Sequence, residues 1–297
     1  MNLRDLLTDT YSALAANKIR SGLTILGIVI GIASVIAMIS IGQGAQGAIQ
    51  SSIEGLGSNL LTVMPGVAQP GRGFVSSGRG GAQTLENEDA EALGNLDGIA
   101  ALSPEHQRRF QITSPAGNNT NTIVIGALPE YAAAHNVETR EGSFLTENHH
   151  RSIARVAVLG PTVVQDLFGE GAEALGKTIR INRINFRVIG VLASKGGAGF
   201  FNPDDTVIVP LSTMQKILAG ADYLSTIAVS VADKDQMSQV QEEASNLLLQ
   251  RHRVAEPDFS IFSQADILGT LTQVTTTFTI FLGSVAGISL LVGGIGI

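Results

Sequence analysis

An α+β extracytoplasmic domain flanked by transmembrane α-helices is the fold class this sequence predicts. The domain reads as a split βαβ porter-like unit with an inserted mainly-β unit. Three observations lead there. The 297-residue chain has no charged residue from Ser21 to Ile53 or from Ile267 to Ile297. Each run exceeds the ~20 apolar residues that cross a bilayer. Between the runs, short strand-like segments alternate with single amphipathic helices. Only 15% of all residues are charged and 44% are hydrophobic, whereas water-soluble domains usually carry about 25% charged residues.

The elements follow in chain order. Residues 1–18 predict a cytoplasmic amphipathic helix, with Leu3, Leu6, Leu7 and Leu14 on one face and Arg4, Asp5 and Asp9 opposite. Such a helix suits the inner membrane surface, with lipid as its partner. Residues 19–43 predict transmembrane helix 1. Arg4, Lys18 and Arg20 precede it and the next basic residue is Arg72. The positive-inside rule then places the N-terminus in the cytoplasm of a bacterial plasma membrane. Residues about 44–270 are extracytoplasmic in this reading, and 272–297 form transmembrane helix 2. Residues 44–60 predict a stalk helix, with Ala45, Ala48, Ile49, Ser52, Ile53 and Leu56 on one face and Gly57 as its cap.

Residues 61–128 and 223–265 predict the porter-like α/β unit. Its strands are NLLTVMPG, about 106–114, about 121–127, STIAVSVA and DFSIFS. Its helices are 85–96 and DQMSQVQEEASNLLLQRH, and the turn Gly117-Asn118-Asn119 joins the second and third strands. Residues 65–83 are Gly- and Ser-rich and predict a loop. Residues 129–222 predict the inserted α+β unit. RVAVLG is a strand and TVVQDLFG a helix; KTIRIN and FRVIGVLAS form a hairpin turned at Arg183-Ile184-Asn185. TVIVPL is a strand and STMQKILAG a short helix.

Two motifs suggest nucleotides, and neither has the right surroundings. Gly171, Gly176, Lys177 and Thr178 match G-x-x-x-x-G-K-[ST]. A phosphate loop needs a strand before it and a helix after it, so that a helix N-terminus meets the phosphate. Here a helix precedes and a strand follows. GQGAQG at 42–47 matches G-x-G-x-x-G, but it follows a membrane helix and lacks the acidic residue about 20 positions on. No cofactor is expected.

Enzyme patterns such as G-x-S-x-G and H-E-x-x-H are missing from the sequence, and no catalytic site is expected. His149-His150 is an adjacent pair, read as a solvated turn rather than a metal site. Arg251-His252-Arg253 ends a helix, where positive charge suits the dipole. All but three of the 19 basic and all but two of the 26 acidic residues fall in the middle region, so that region is acidic and no nucleic-acid partner is expected. With no cysteine, its stability rests on the core.

Two features point to contacts. Gly27 with Gly31, and Gly283 with Gly287, have the small-xxx-small spacing that lets membrane helices pack closely. Phe200 and Phe201, in the loop KGGAGFFNPDD, are a candidate partner-contact tip or a pair folded back into the core. The second apolar run reaches Ile297 without a basic flank, which reads as a fragment whose C-terminal part is missing.

NKIRSGLTILGIVIGIASVIAMISIGQG followed by IEGLGSNLLTVMPG resembles the start of MacB-type ABC transporter permeases. So do REGSFLTENHHRSIARVAVLGPTVVQDLFGEGAEALGKTIRINRINFRVIGVLAS, DDTVIVPLSTMQKILAG and RHRVAEPDFSIFSQADIL. The resemblance covers nearly the whole chain. It implies four spans with a large external domain between the first two, and an FtsX-like permease domain that begins with 272–297. It implies a cytoplasmic ABC ATPase as partner, a homodimer or paired permease, and a periplasmic adaptor with an outer-membrane duct. The implied function is export of antibiotics, peptides or lipoproteins, driven by ATP hydrolysis in the partner. The alternative is an FtsX-like transmembrane signal transmitter that controls extracytoplasmic enzymes.

Overall fold

The computed structural model describes scattered positions between 19 and 47, then residues 59–66, 83–196 and 202–295, with side chains only in part after 263. The chain divides into two compact units, Met1–Ile49 with Leu268–Ile297, and Gln50–Ile267.

Among the described residues the larger unit has ten strands. β1 (Leu60–Pro65), β9 (Thr226–Val231), β10 (Phe259–Ser263) and the first half of β2 (Ile99–Thr113) form one sheet in the order β10-β1-β9-β2. The second half of β2 continues into a second sheet with β3 (Asn119–Ala127), β8 (Thr206–Pro210), β5 (Val156–Leu159), β7 (Ile184–Leu192) and β4 (Thr139–Gly142). β6 (Thr178–Ile181) pairs with both β2 and β7. Pairing is antiparallel except for β3 with β8 and β5 with β7. β2 is therefore the strand shared by both sheets.

Three apolar clusters hold these layers. Helices α1 (Asn87–Leu93) and α6 (Met237–His252) cover the first sheet, where Leu61, Leu93, Val229, Val240 and Leu248 are buried together. Helix α4 (Pro161–Phe168) covers one face of the second sheet through Val163 and Leu167, against Ile112, Ile179 and Phe186. The opposite face is covered at one end by α2 (Tyr131–Ala134), where Tyr131 packs with Ile125, Val158 and Ile208. α3 (Glu147–Arg151) and α5 (Leu211–Thr213) complete this unit, and α5 widens into a π-helix at Met214–Ala219.

Most elements fall where the alternation of apolar residues places them, and three differences have physical reasons. β2 begins at Ile99 rather than near 106. Pro104 argues against a strand interior because it cannot donate to a ladder. Yet the first half of β2 pairs on one side only, with β9, an edge-like position where proline is tolerated. The β6–β7 turn is Asn182-Arg183, not Arg183-Ile184-Asn185. Ile181 pairs with Ile184, and the two residues between them have φ of 48° and 69°, a primed two-residue turn. α2, β4 and α3 have only four or five residues each, too few to display a period.

The described residues of the smaller unit are helical. Positions described between 19 and 47 are helical, and α7 (Gln264–Ile295) is 32 residues long. Within this unit a Cβ placed on Gly42 would sit 3.6 Å from Thr275 Cγ2, so the two helices meet there. Ile30, Ile36, Phe278, Phe281 and Ile288 are exposed. Among the described residues, no helix is long and apolar enough to cross a membrane.

Candidate functional site

The predicted contact residues divide into those the structure describes and those it does not. Leu3, Leu6, Leu7, Leu14, Gly27, Phe200 and Phe201 lie outside the described residues, as does the stalk face from Ala45 to Leu56. Gly31 is helical and half-buried. Gly283 and Gly287 are exposed on α7, and a Cβ placed on either meets nothing within 4 Å.

The segment with the phosphate-loop pattern is a loop followed by a strand. Gly169, Gly171 and Gly176 have positive φ, and Thr178 begins β6. The Gly176 and Lys177 N–H groups donate to Val188 O and Ala174 O, at 2.9 and 3.2 Å. Donors that a phosphate would need are thus already used. The Lys177 ammonium rests over the Phe168 ring, 4.7 Å from its centroid.

What the fold does build is a strand pair at the point where the chain enters and leaves the larger unit. β1 is the first described strand after residues 44–58, and β10 runs directly into α7. The two are hydrogen-bonded neighbours, from Leu61 opposite Ser263 to Pro65 opposite Phe259. The β10–α7 junction is closed by a reciprocal cap. Asp266 N–H donates to Ser263 Oγ at 3.1 Å, while Ser263 N–H donates to Asp266 Oδ2 at 2.9 Å. The Ser263 hydroxyl also donates to Asp266 Oδ2, at 2.7 Å. Such a box satisfies N–H groups that the first turn of a helix otherwise leaves unpaired.

The other end of the same strand pair is clamped by charge. Asp89 on α1 accepts from Arg251 Nε at 2.9 Å and lies 3.2 Å from His252 Nε2, both at the end of α6. His252 Nδ1 lies 2.7 Å from Asp258 Oδ1, just before β10. The Asp258 carbonyl accepts from Gly66 N–H, at the end of β1, at 2.8 Å. Burial would raise the Asp89 pKa, but Arg251, the Glu86 N–H and His252 outweigh it and hold the carboxyl below its ordinary range. Burial would lower the His252 pKa, but hydrogen bonds to Asp258 and Asp89 hold it above its ordinary value. The basic residues that the sequence assigned to the helix dipole thus tie two helices to both strands. Their partners lie far off in sequence, and Asp89 reads only as a first-turn acid of α1.

A second polar group sits where β2 passes between sheets. Glu105, 1% exposed, accepts from Gln107 Nε2 at 2.9 Å and lies 2.5 Å from His135 Nε2. The Tyr131 ring packs against His135 at a tilt, and burial together with the Glu105 charge pushes its phenol well above the ordinary range. Next to Glu105, His106 Nδ1 meets the Tyr223 carbonyl at 2.7 Å. Lys195 donates to the His135 carbonyl at 2.7 Å, and burial lowers its pKa against the opposing pull of Asp204. These contacts join α2 to the strand shared by both sheets. His149 and His150 lie on α3, where His149 Nδ1 accepts from the Thr146 N–H. Among the described residues, no three His, Cys, Asp or Glu side chains are grouped to hold a metal ion.

Comparison with known proteins bears on these features. The sequence model described as MacB-like periplasmic core domain matches residues 21–247. A protein of Wolinella succinogenes named Macrolide export ATP-binding/permease protein MacB is 40% identical over 299 residues, covering all of this chain. A protein of the same name from Bdellovibrio bacteriovorus is 39% identical over 98% of the chain. The chain spans 45% of the length of each. Among solved structures, the periplasmic region of MacB from Actinobacillus actinomycetemcomitans superposes with a TM-score of 0.61 at 22% identity, over 75% of this chain and 97% of that one. The extracellular domain of the transporter YknZ, from Gram-positive bacteria, gives 0.56 at 18% identity, over 69% of this chain and all of that one. At those identities the match is one of fold. It establishes a mixed α/β domain like these two external domains.

Proposed function

Because the chain belongs to the family of the MacB-like periplasmic core domain, we propose that it is the permease part of a MacB-type ABC transporter. The observation that carries this reading is the match over 98–100% of this chain, at 39–40% identity, to two proteins named as macrolide export ATP-binding/permease proteins. In this reading 19–43 and 272–297 cross the bacterial plasma membrane, the N-terminus is cytoplasmic, and residues about 44–270 lie outside. The chain carries no catalytic step of its own. A cytoplasmic ABC ATPase hydrolyses ATP and moves the helices.

The β1–β10 pair and the Ser263–Asp266 cap support a mechanical role. In this reading the cap holds the first turn of α7 to the end of β10, so that motion of the helix reaches the strand pair. The clamp of Asp89, Arg251, His252 and Asp258 spreads that motion to α1 and α6. The substrates in this reading are antibiotics, peptides or lipoproteins, and the relatives' names favour macrolide antibiotics among them. Gly27, Gly31, Gly283 and Gly287 serve helix packing in a homodimer or paired permease. Phe200 and Phe201 serve contact with an adaptor, which an outer-membrane duct completes in a two-membrane envelope. Leu3, Leu6, Leu7 and Leu14 hold an inner-surface helix on lipid.

The test is recovery of the full-length protein from membranes with and without ATP, and identification of its partners by mass spectrometry. An ATPase recovered with an adaptor supports export. An ATPase recovered with a cell-wall hydrolase moves the reading to a signal transmitter. Recovery with no ATPase, fused or separate, overturns the transporter reading.

A further inference from the structure

The five histidines of the chain divide by what their ring nitrogens face. His106 meets a carbonyl oxygen, and His135 and His252 meet carboxylates. Those oxygens accept, so the ring nitrogens that face them donate. His149 and His150 do the reverse. The Thr146 N–H donates to His149 Nδ1 at 3.2 Å, and the Ser212 N–H donates to His150 Nδ1 at 3.4 Å. A backbone N–H can only donate. Both Nδ1 atoms therefore carry no proton, and both rings are neutral with their hydrogen on Nε2.

These two bonds hold α3 at both of its sides. His149 is the third residue of the helix, where Glu or Gln usually returns to the N–H of the capping residue. His150 reaches across to α5. That element, with the π-helix after it, bridges two cores. Leu211 is buried in the cluster under α1 and α6, while Met214 and Leu218 are buried in the cluster under α4.

The surroundings do not favour a charge on either ring. Among the described residues, the carboxylates within 4.0 Å of a histidine are those at His135 and His252, so neither ring meets one. On α3 itself Glu147 and Arg151 pair with each other at 2.9 Å. The turn after α3, whose Ala154 N–H donates to the His149 carbonyl at 3.0 Å, leads to Arg155, which is exposed. α5 has no titratable side chain, and the π-helix has only Lys216, also exposed. Both histidines are half-buried, so protons from water reach them.

Protonation makes each Nδ1 a donor facing another donor. Both bonds fail together, and the N–H groups of Thr146 and of the buried Ser212 lose their partners. Two other contacts are indifferent to the proton. The Ser212 hydroxyl donates to the His150 carbonyl, and the Thr213 hydroxyl donates to the Ala154 carbonyl. They keep the end of α3 tethered while its first turn and its ring contacts let go.

We propose that His149 and His150 form a proton-released latch between α3 and α5, closed while both rings are neutral and opened by acid. Histidine ordinarily changes charge near pH 6.5, so the latch is present above that range and lost as pH falls through it. Its sign is opposite to that of the clamp, where protonated His252 holds two carboxylates. In the transporter reading this unit lies outside the membrane and meets the external pH. The latch goes beyond that reading, and its test involves no transport.

The test is hydrogen exchange of the purified full-length protein, read by mass spectrometry from pH 8 to pH 5 and divided by the intrinsic rate at each pH. Protection of segments 144–154 and 211–218 is expected to fall ~fivefold or more on acidification, as each loses a hydrogen bond. The double change H149Q and H150N keeps an acceptor at each place without a titrating ring. It is expected to keep both segments protected across the range. If the double variant fails to fold, His150→Asn alone is expected to remove the pH dependence at 211–218 and leave it at 144–149. Protection that does not change with pH, or that changes equally in the variants, overturns the proposal.

Discussion

At the scale of single residues, close packing makes the sharpest predictions. A Cβ on Gly126 of β3 would lie 2.2 Å from Met214 Cβ. Gly126→Ala therefore forces a backbone or helix shift, and about 1–3 kcal/mol of stability is lost. A lowered thermal midpoint of the purified protein checks it; an unchanged midpoint means the π-helix yields. The clamp predicts a pH dependence with two limbs. His252 is held above its ordinary 6.5, so its contribution is complete below that pH and lost as pH rises through its folded value. Asp89 is held below its ordinary 3.8, so its contribution is present above that pH and lost as pH falls through its folded value. The thermal midpoint measured against pH therefore declines on both sides, and His252→Gln removes the decline on the alkaline side. Sequence showed the charges of Arg251 and His252 but not this pairing, because Asp89 is 162 and 163 residues away.

At the scale of elements, the junctions decide. Ser263→Ala removes the side chain that caps α7 and costs ~1 kcal/mol locally. Faster hydrogen exchange in the first turn of α7 is the expected readout, with ATP-driven transport reduced if that turn transmits motion. The loop between α4 and β6 predicts the opposite result. Lys177→Ala loses a contact with Phe168 and nothing more, so nucleotide-dependent activity is unchanged; loss of nucleotide binding would contradict the order helix, loop, strand. Most of these elements were legible from period alone. The exceptions were β2 before 106, hidden by Pro104, the hairpin turn, and α2, β4 and α3, which are too short to show a period. Two residues with positive φ decide that turn, and Asn182 is the clue the sequence offers for it.

At the scale of the whole molecule, topology is the open consequence. The chain has no cysteine, so a single introduced one reports without background. Cysteine in place of Glu170, on an exposed loop, is labelled by a membrane-impermeant maleimide in intact spheroplasts, while cysteine in place of Thr8 is labelled only after lysis. The reverse pattern overturns the orientation drawn from Arg4, Lys18 and Arg20.

By itself the sequence determined the two uncharged runs, the acidic strand-rich region between them, and the resemblance that the family match bears out. Those properties are local, written in composition and in periods of a few residues. Only the tertiary structure decided that β1 and β10 are neighbours, that β2 serves both sheets, and that Asp89 meets Arg251 and His252 while His252 also meets Asp258. Each of these depends on strand order and register. A register shift of one residue would turn the same side chains to the other face, and no short window of sequence records which strand lies beside which.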